Sequence, residues 1–169
     1  MAEDRRPIVS SAHLADGAAP ALSELEFSLT LAAAAYQRWI ARCASAAGLA
    51  LAPLEVLILH TVRHRDRAKR LADIALVLDV EDTHLITYAI RKLERAGLVA
   101  TQRSGKEKLV SATDAGRSFC ARYRDIREGV LATAVAADGP DGPALSAAAE
   151  LLRRLSGQYN QAARAAATL

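Results

Sequence analysis

Apolar residues recur along most of this chain at three- and four-residue spacing, broken by short polar turns, which is the pattern of amphipathic helices. The first stripe, Leu22, Leu25, Leu29, Ala32, Ala33, Tyr36, Trp39, Ile40 and Cys43, predicts a helix over 22–47 that stops at Gly48. Pro53 then stands at a first-turn position, where its missing N–H costs nothing. It opens a helix over 54–64 with Leu54, Leu57, Ile58 and Thr61 on one side. The charged turn Arg63-His64-Arg65-Asp66-Arg67 leads into a third helix over 71–78, with Leu71, Ile74, Ala75 and Leu78 inward. Asp79-Val80-Glu81-Asp82 marks a helix start, with Asp79 suited to capping and Asp82 imitating a capping box. The helix that follows, over 83–96, would bury Leu85, Ile86, Ala89, Ile90 and Leu93 and end at Gly97.

Here the period changes. Residues 98–102 and 108–112 alternate, and the loop over 103–107 contains Gly105, so the pair predicts a β-hairpin. Thr113 can cap a helix over 114–137, the Gly-Pro repeats at 138–143 break the chain, and a last helix is expected over 144–166. Its stripe is Leu145, Ala148, Leu151, Leu152, Leu155, Tyr159 and Ala162. Residues 1–20 lack periodicity and read as a mobile arm. The fold class is therefore mostly α with a small β-hairpin: a winged helix-turn-helix over 49–113. It is flanked by a dimerisation helix over 21–48 and C-terminal dimerisation helices over 114–169. The long apolar stripes exceed what a small winged lobe can cover, which favours a homodimer seam.

Composition agrees with this reading. Of 169 residues, 51% are hydrophobic but only 4% aromatic, with Ala and Leu dominating, as a helical domain requires. No apolar run approaches the length of a bilayer span, and the first residues do not resemble a secretory signal, so the expected location is cytoplasmic, without a membrane partner. Cys43 and Cys120 are too few for a disulfide framework. His60 and His64 lie four apart without an evident third ligand, so no metal is expected. There is no phosphate loop and no nucleophile motif, so neither catalytic residues nor a cofactor is assigned.

Charge sharpens the picture. From His60 to Lys108 there are eleven Lys/Arg against seven acids, a local surplus of four, while the whole chain carries only +3. The helix over 83–96 places Thr83, His84, Thr87, Tyr88, Arg91, Lys92 and Arg95 opposite its apolar face. A helix fits the major groove, where such side chains meet base edges, and cations on its flank neutralise phosphates. Arg103 and Lys106 at the hairpin tip suit a neighbouring minor groove. Double-stranded DNA is the partner this pattern implies. The same cations are also compatible with a solvated helix face, and a winged-helix module that binds protein instead of DNA is the rival reading.

The stretch Lys92-Leu93-Glu94-Arg95-Ala96-Gly97-Leu98-Val99, with Lys106 and then Val110-Ser111-Ala112-Thr113-Asp114-Ala115-Gly116, resembles MarR-type transcription regulators over roughly 22–166. The resemblance implies DNA binding through recognition helix and wing, a homodimer formed by the terminal helices, an inverted-repeat operator, and a small-molecule effector between dimerisation helices and DNA-binding lobe. It also brings in redox-sensing members with a reactive cysteine near the first helix, where Cys43 stands; burial as a structural thiol is the competing role. The wing departs from the family, since Ser104 and Lys106 stand where an Asp–Arg brace is usual.

Overall fold

A computed structural model describes residues 7–105 and 107–169, which fold as two units, Met1–Arg124 and Asp125–Leu169. In the first unit α1 (Ala12–Ala15) is a single turn within the expected arm, and Ser23 Oγ donates to the Leu14 carbonyl at 2.7 Å. The first six residues of that arm lie outside the described residues. The long helix α2 (Pro20–Ala46) follows, then α3 (Pro53–Arg63), a 3-10 turn (His64–Asp66), β1 (Lys69–Arg70), α4 (Leu71–Leu78) and α5 (Thr83–Arg95). Strands β2 (Val99–Ser104) and β3 (Glu107–Ala112) precede α6 (Asp114–Ile126).

The core sits where α3 meets α2, α4, α5 and β3. Val56, Ile58, Leu59 and Val62 of α3 pack with Ile74 of α4, Ile86, Ile90 and Leu93 of α5, Val110 of β3 and Phe119 of α6, all fully buried. On α3 this differs from the expected side: Leu54, Leu57 and Thr61 are only half-buried. A helix covered on several sides buries an arc centred on its most enclosed residues, which a single apolar stripe does not identify. Leu85 of α5 is likewise 52% exposed rather than buried, while the other four positions expected inward are in the core.

The sheet has three strands in the order β1-β3-β2, all antiparallel. The hairpin expectation thus gains a strand: Lys69 pairs with Val110 and Arg70 with Leu109. The hairpin is also tighter than the sequence suggests, because the ladder extends to Ser104 paired with Glu107. Gly105, at φ +62°, supplies the left-handed backbone that such a turn demands.

Asp79 does not cap α5. It closes α4 in a left-handed conformation, φ +52°, and Asp82 takes the N-cap, its carboxylate accepting from the His84 N–H at 2.8 Å. At the wing's far end Thr113 ties three segments together. Its hydroxyl donates to the Gly97 carbonyl at 2.6 Å and accepts from Gly116 N–H at 3.1 Å, and its own N–H reaches the Leu98 carbonyl at 3.1 Å.

The second unit starts in the last turn of α6 and continues through a π-helical turn (Arg127–Ala132), α7 (Thr133–Asp138) and α8 (Gly142–Ala166). The helix expected over 114–137 is therefore interrupted: Thr133 Oγ1 donates to the Glu128 carbonyl at 2.9 Å within the widened turn. Asp141 caps α8 through the Ala144 N–H at 2.8 Å. No residue of α8 is buried, and Leu145, Leu151 and Leu152 are exposed. Among the described residues no helix is long and apolar enough to cross a membrane.

Candidate nucleic-acid interface

Helix α5 is strongly two-sided. Ile86, Ala89, Ile90 and Leu93 anchor one face in the core, leaving Thr83, His84, Tyr88, Arg91 and Arg95 exposed on the other and Thr87 half-exposed between. The Thr87 hydroxyl donates to the Thr83 carbonyl at 3.0 Å, a back-bond within the helix. Arg95 Nε donates to the Arg91 carbonyl at 3.3 Å, leaving its other guanidinium donors outward. Neither Arg91 nor Arg95 has an ion-pair partner among the described residues.

Lys92 behaves differently. Its ammonium ion pairs with Glu55 of α3, whose side chain is only 5% exposed. The other Glu55 oxygen accepts from the Ala52 N–H at 2.9 Å, so one carboxylate serves both the start of α3 and the last turns of α5. The hydrogen bond to Glu55 holds Lys92 above the ordinary lysine value, and Lys92 Nζ also lies 5.8 Å from the centre of the Tyr88 ring. Glu55 is a residue the sequence reading missed. Its position two residues after Pro53 signals a helix start, but its burial depends on a cation far along the chain.

The wing is held by contacts that replace the absent Asp–Arg brace. Thr101 of β2 donates to Glu94 of α5, linking the hairpin to that helix. Arg70 of β1 bridges Asp73 at 2.9 Å and Glu107 of β3 at 3.3 Å, and these carboxylates, Asp73 first, hold it above the usual arginine range. Arg117 reaches Asp114, Asp66 at 3.5 Å and the Ala112 carbonyl at 2.8 Å. Arg103 is exposed on β2 opposite Lys108. Lys106, the other wing cation of the sequence reading, lies outside the described residues.

Two cavities open beside α3. One, of about 420 Å³, is lined by His60, Thr61, His64, Lys69, Asp73 and Val77. The other, of about 310 Å³, is lined by His60, Arg63, His64, Arg117, Cys120 and Arg124, three arginines of which Arg63 and Arg117 share Asp66 as an ion-pair partner, at 3.3 and 3.5 Å. His60 stacks edge-on against Tyr123 with ring centres 4.8 Å apart, and burial pushes its pKa below the ordinary histidine value. Among the described residues no group of three His, Cys, Asp or Glu is placed to hold a metal ion. Cys43 is 1% exposed and its thiol lies 3.6 Å from the Tyr123 carbonyl; burial pushes that thiol up, as it does Cys120. Neither has the lowered pKa of a reactive thiol.

Residues 51–116 match the winged helix DNA-binding domain family. No curated protein sequence matches the chain. Among solved structures, a mutant MarR from E. coli complexed with operator DNA superposes with a TM-score of 0.68 at 15% identity, covering 83% of this chain and 99% of that one. A MarR-family transcriptional regulator from Rhodococcus sp. RHA1 gives 0.63 at 17% identity, with 78% and 91% covered. CouR from Rhodococcus jostii RHA1, bound to p-coumaroyl-CoA, gives 0.62 at 17% identity, with 78% and 90% covered. The chain therefore has the fold of MarR-family transcription regulators, with residues 51–116 matching a winged helix DNA-binding domain.

Proposed function

We propose that this MarR-like chain is a transcription regulator that binds an inverted-repeat operator as a homodimer, with α5 in the major groove and the β2–β3 wing beside it. One observation carries the reading. Helix α5 is fixed to the core by four buried residues while its opposite face, His84, Tyr88, Arg91 and Arg95, stands exposed in a winged helix DNA-binding domain. Thr83 and Thr87 near the helix start suit base edges, and Arg103 and Lys106 suit the phosphates and minor groove that flank them. Two copies of α5 related by a two-fold axis read two half-sites about one helical turn apart.

Regulation by a small molecule is part of the proposal. The cavity walled by Arg63, Arg117 and Arg124 favours an organic anion, and CouR, of the same fold, was captured with an acyl-CoA thioester. An anionic effector bound there would change the affinity for DNA, measurable as release of labelled duplex on titration with aromatic carboxylates and acyl-CoA thioesters.

The DNA reading is tested by fluorescence anisotropy with duplexes selected from a randomised pool, across a series of salt concentrations. Affinity should fall steeply with salt, and Arg91→Ala and Arg95→Ala should each reduce the slope of log K against log salt by about 1. Absence of binding to any duplex at low salt would instead favour the protein-interaction module.

A further inference from the structure

Lys92 sits on the recognition helix among cations that suit phosphates, yet its ammonium is committed elsewhere. Its partner Glu55 is 4% exposed as a residue, and the two oxygens of that carboxylate are divided between Lys92 and the Ala52 N–H. A buried carboxylate tolerates its charge only while it is paired and hydrogen-bonded. A phosphate that drew Lys92 away would strand Glu55 in the core. The ammonium also lies near the face of Tyr88, one turn back on the same helix, at a distance where the ring's negative face attracts it. Three groups are thus fixed together: the first turn of α3, the last turns of α5, and the exposed ring of Tyr88 on the face opposite the core, at 62%.

We propose, resting on the DNA-binding reading above, that Lys92 is a positioning residue and not a phosphate contact. Paired with Glu55, it fixes the rotation of α5 about its axis and the orientation of Tyr88, and so sets the register in which His84 and Tyr88 meet base pairs. Arg91 and Arg95, which have no carboxylate partner among the described residues, carry the phosphate contacts on this helix.

The two roles differ in what salt does. A phosphate contact contributes to the counterion slope and strengthens every duplex alike; a positioning residue leaves the slope unchanged and affects the preferred sequence most. The experiment compares the full chain with Lys92→Met, Glu55→Gln and the double variant. It uses anisotropy on the duplex selected by the wild type and on a random duplex, over a salt series, with active fractions normalised and circular dichroism checking the fold. Lys92→Met should weaken the selected duplex by roughly tenfold, the size of one lost base readout, with little change on random DNA and an unchanged slope. Glu55→Gln should do the same, and the double variant should be no worse than either single one, because both remove one interaction. Should Glu55→Gln fail to fold, Lys92→Met alone decides through the slope and the selected-to-random ratio. A slope lowered by about 1, with selected and random duplexes weakened equally, overturns the proposal and makes Lys92 a phosphate contact. A wild type that binds no duplex overturns the DNA reading itself, and the unmutated control distinguishes that failure from the first.

Discussion

At Gly116 the first turn of α6 runs against the turn between α5 and β2 so closely that a Cβ would lie 2.1 Å from the Leu98 carbonyl oxygen. That oxygen is fixed because it accepts the Thr113 N–H at 3.1 Å, so the backbone has nowhere to retreat. Gly116→Ala should destabilise the first unit by about 3 kcal/mol, the upper range for overpacking, read as a shift in urea midpoint at unchanged m value. A change within a few tenths of a kcal/mol would mean the junction gives way. His60 makes a second prediction. Burial lowers its pKa in the folded state, so below the ordinary histidine value of 6.5 the unfolded chain binds the proton that the folded chain resists. Stability contributed by neutral His60 is therefore complete above that pH and is lost as pH falls toward the lowered folded value. Thermal melts from pH 7.5 downward should show Tm dropping, and His60→Phe should flatten the drop; an identical slope in the variant would remove His60 as its cause. Neither feature was legible from sequence in this form. The Thr-Asp-Ala-Gly stretch marks a strand-to-helix junction by resemblance, but the need for glycine comes from a carbonyl contributed by another segment. Likewise Glu55 reads as a first-turn acid, and only the fold places Lys92 beside it.

Helices were the most readable elements, because each needs only its own spacing and caps. The limits found for α2, α3, α4 and α5 fall within two residues of those the apolar stripes predict. Caps were read less well. Both Asp79 and Asp82 are chemically suited to start α5, and the outcome turns on backbone: Asp79 adopts the left-handed conformation that ends α4, which leaves Asp82 to accept the His84 N–H. Asp82→Ala should therefore cost about 1 kcal/mol, the value of a lost N-cap. Chemical denaturation of the Asp82→Ala variant checks the assignment, and a midpoint equal to that of the wild type would remove Asp82 as the cap. Strand β1 escaped because two cationic residues carry no alternation; its existence depends on an edge offered by β3. The π turn escaped for a similar reason, since residues 127–132 hold no proline and their one glycine is compatible with an ordinary helix.

Across the whole molecule the net charge of +3 is small, and its distribution matters more than its size: four surplus cations lie between His60 and Lys108, leaving −1 for the rest. The apolar surface is divided in the opposite way. In α2 the stripe from Leu22 to Tyr36 is not in the core: Leu22 and Tyr36 are 41% and 54% exposed, Leu31 on the same helix 56%, and apart from Ser23 its buried residues begin at Ile40. In α8 Leu145, Leu151 and Leu152 are 45%, 49% and 42% exposed. Two long helices with apolar stripes, both outside the basic stretch from His60 to Lys108, are what a self-complementary seam between two copies requires. The expectation is a dimer of twice 18.0 kDa in sedimentation equilibrium at micromolar concentration. Leu151→Asp with Leu152→Asp places charges in the seam and should weaken association by at least about 30-fold, the threshold of an interface hot spot. The same variant should retain the winged domain's fold and its non-specific affinity for DNA, since the basic lobe is untouched. It should lose the preference for two half-sites over one, because that preference comes from joining two recognition helices. A wild type that sediments at 18.0 kDa, or a charged variant that stays dimeric, would assign those leucines to a different partner and leave inverted-repeat recognition without a structural basis.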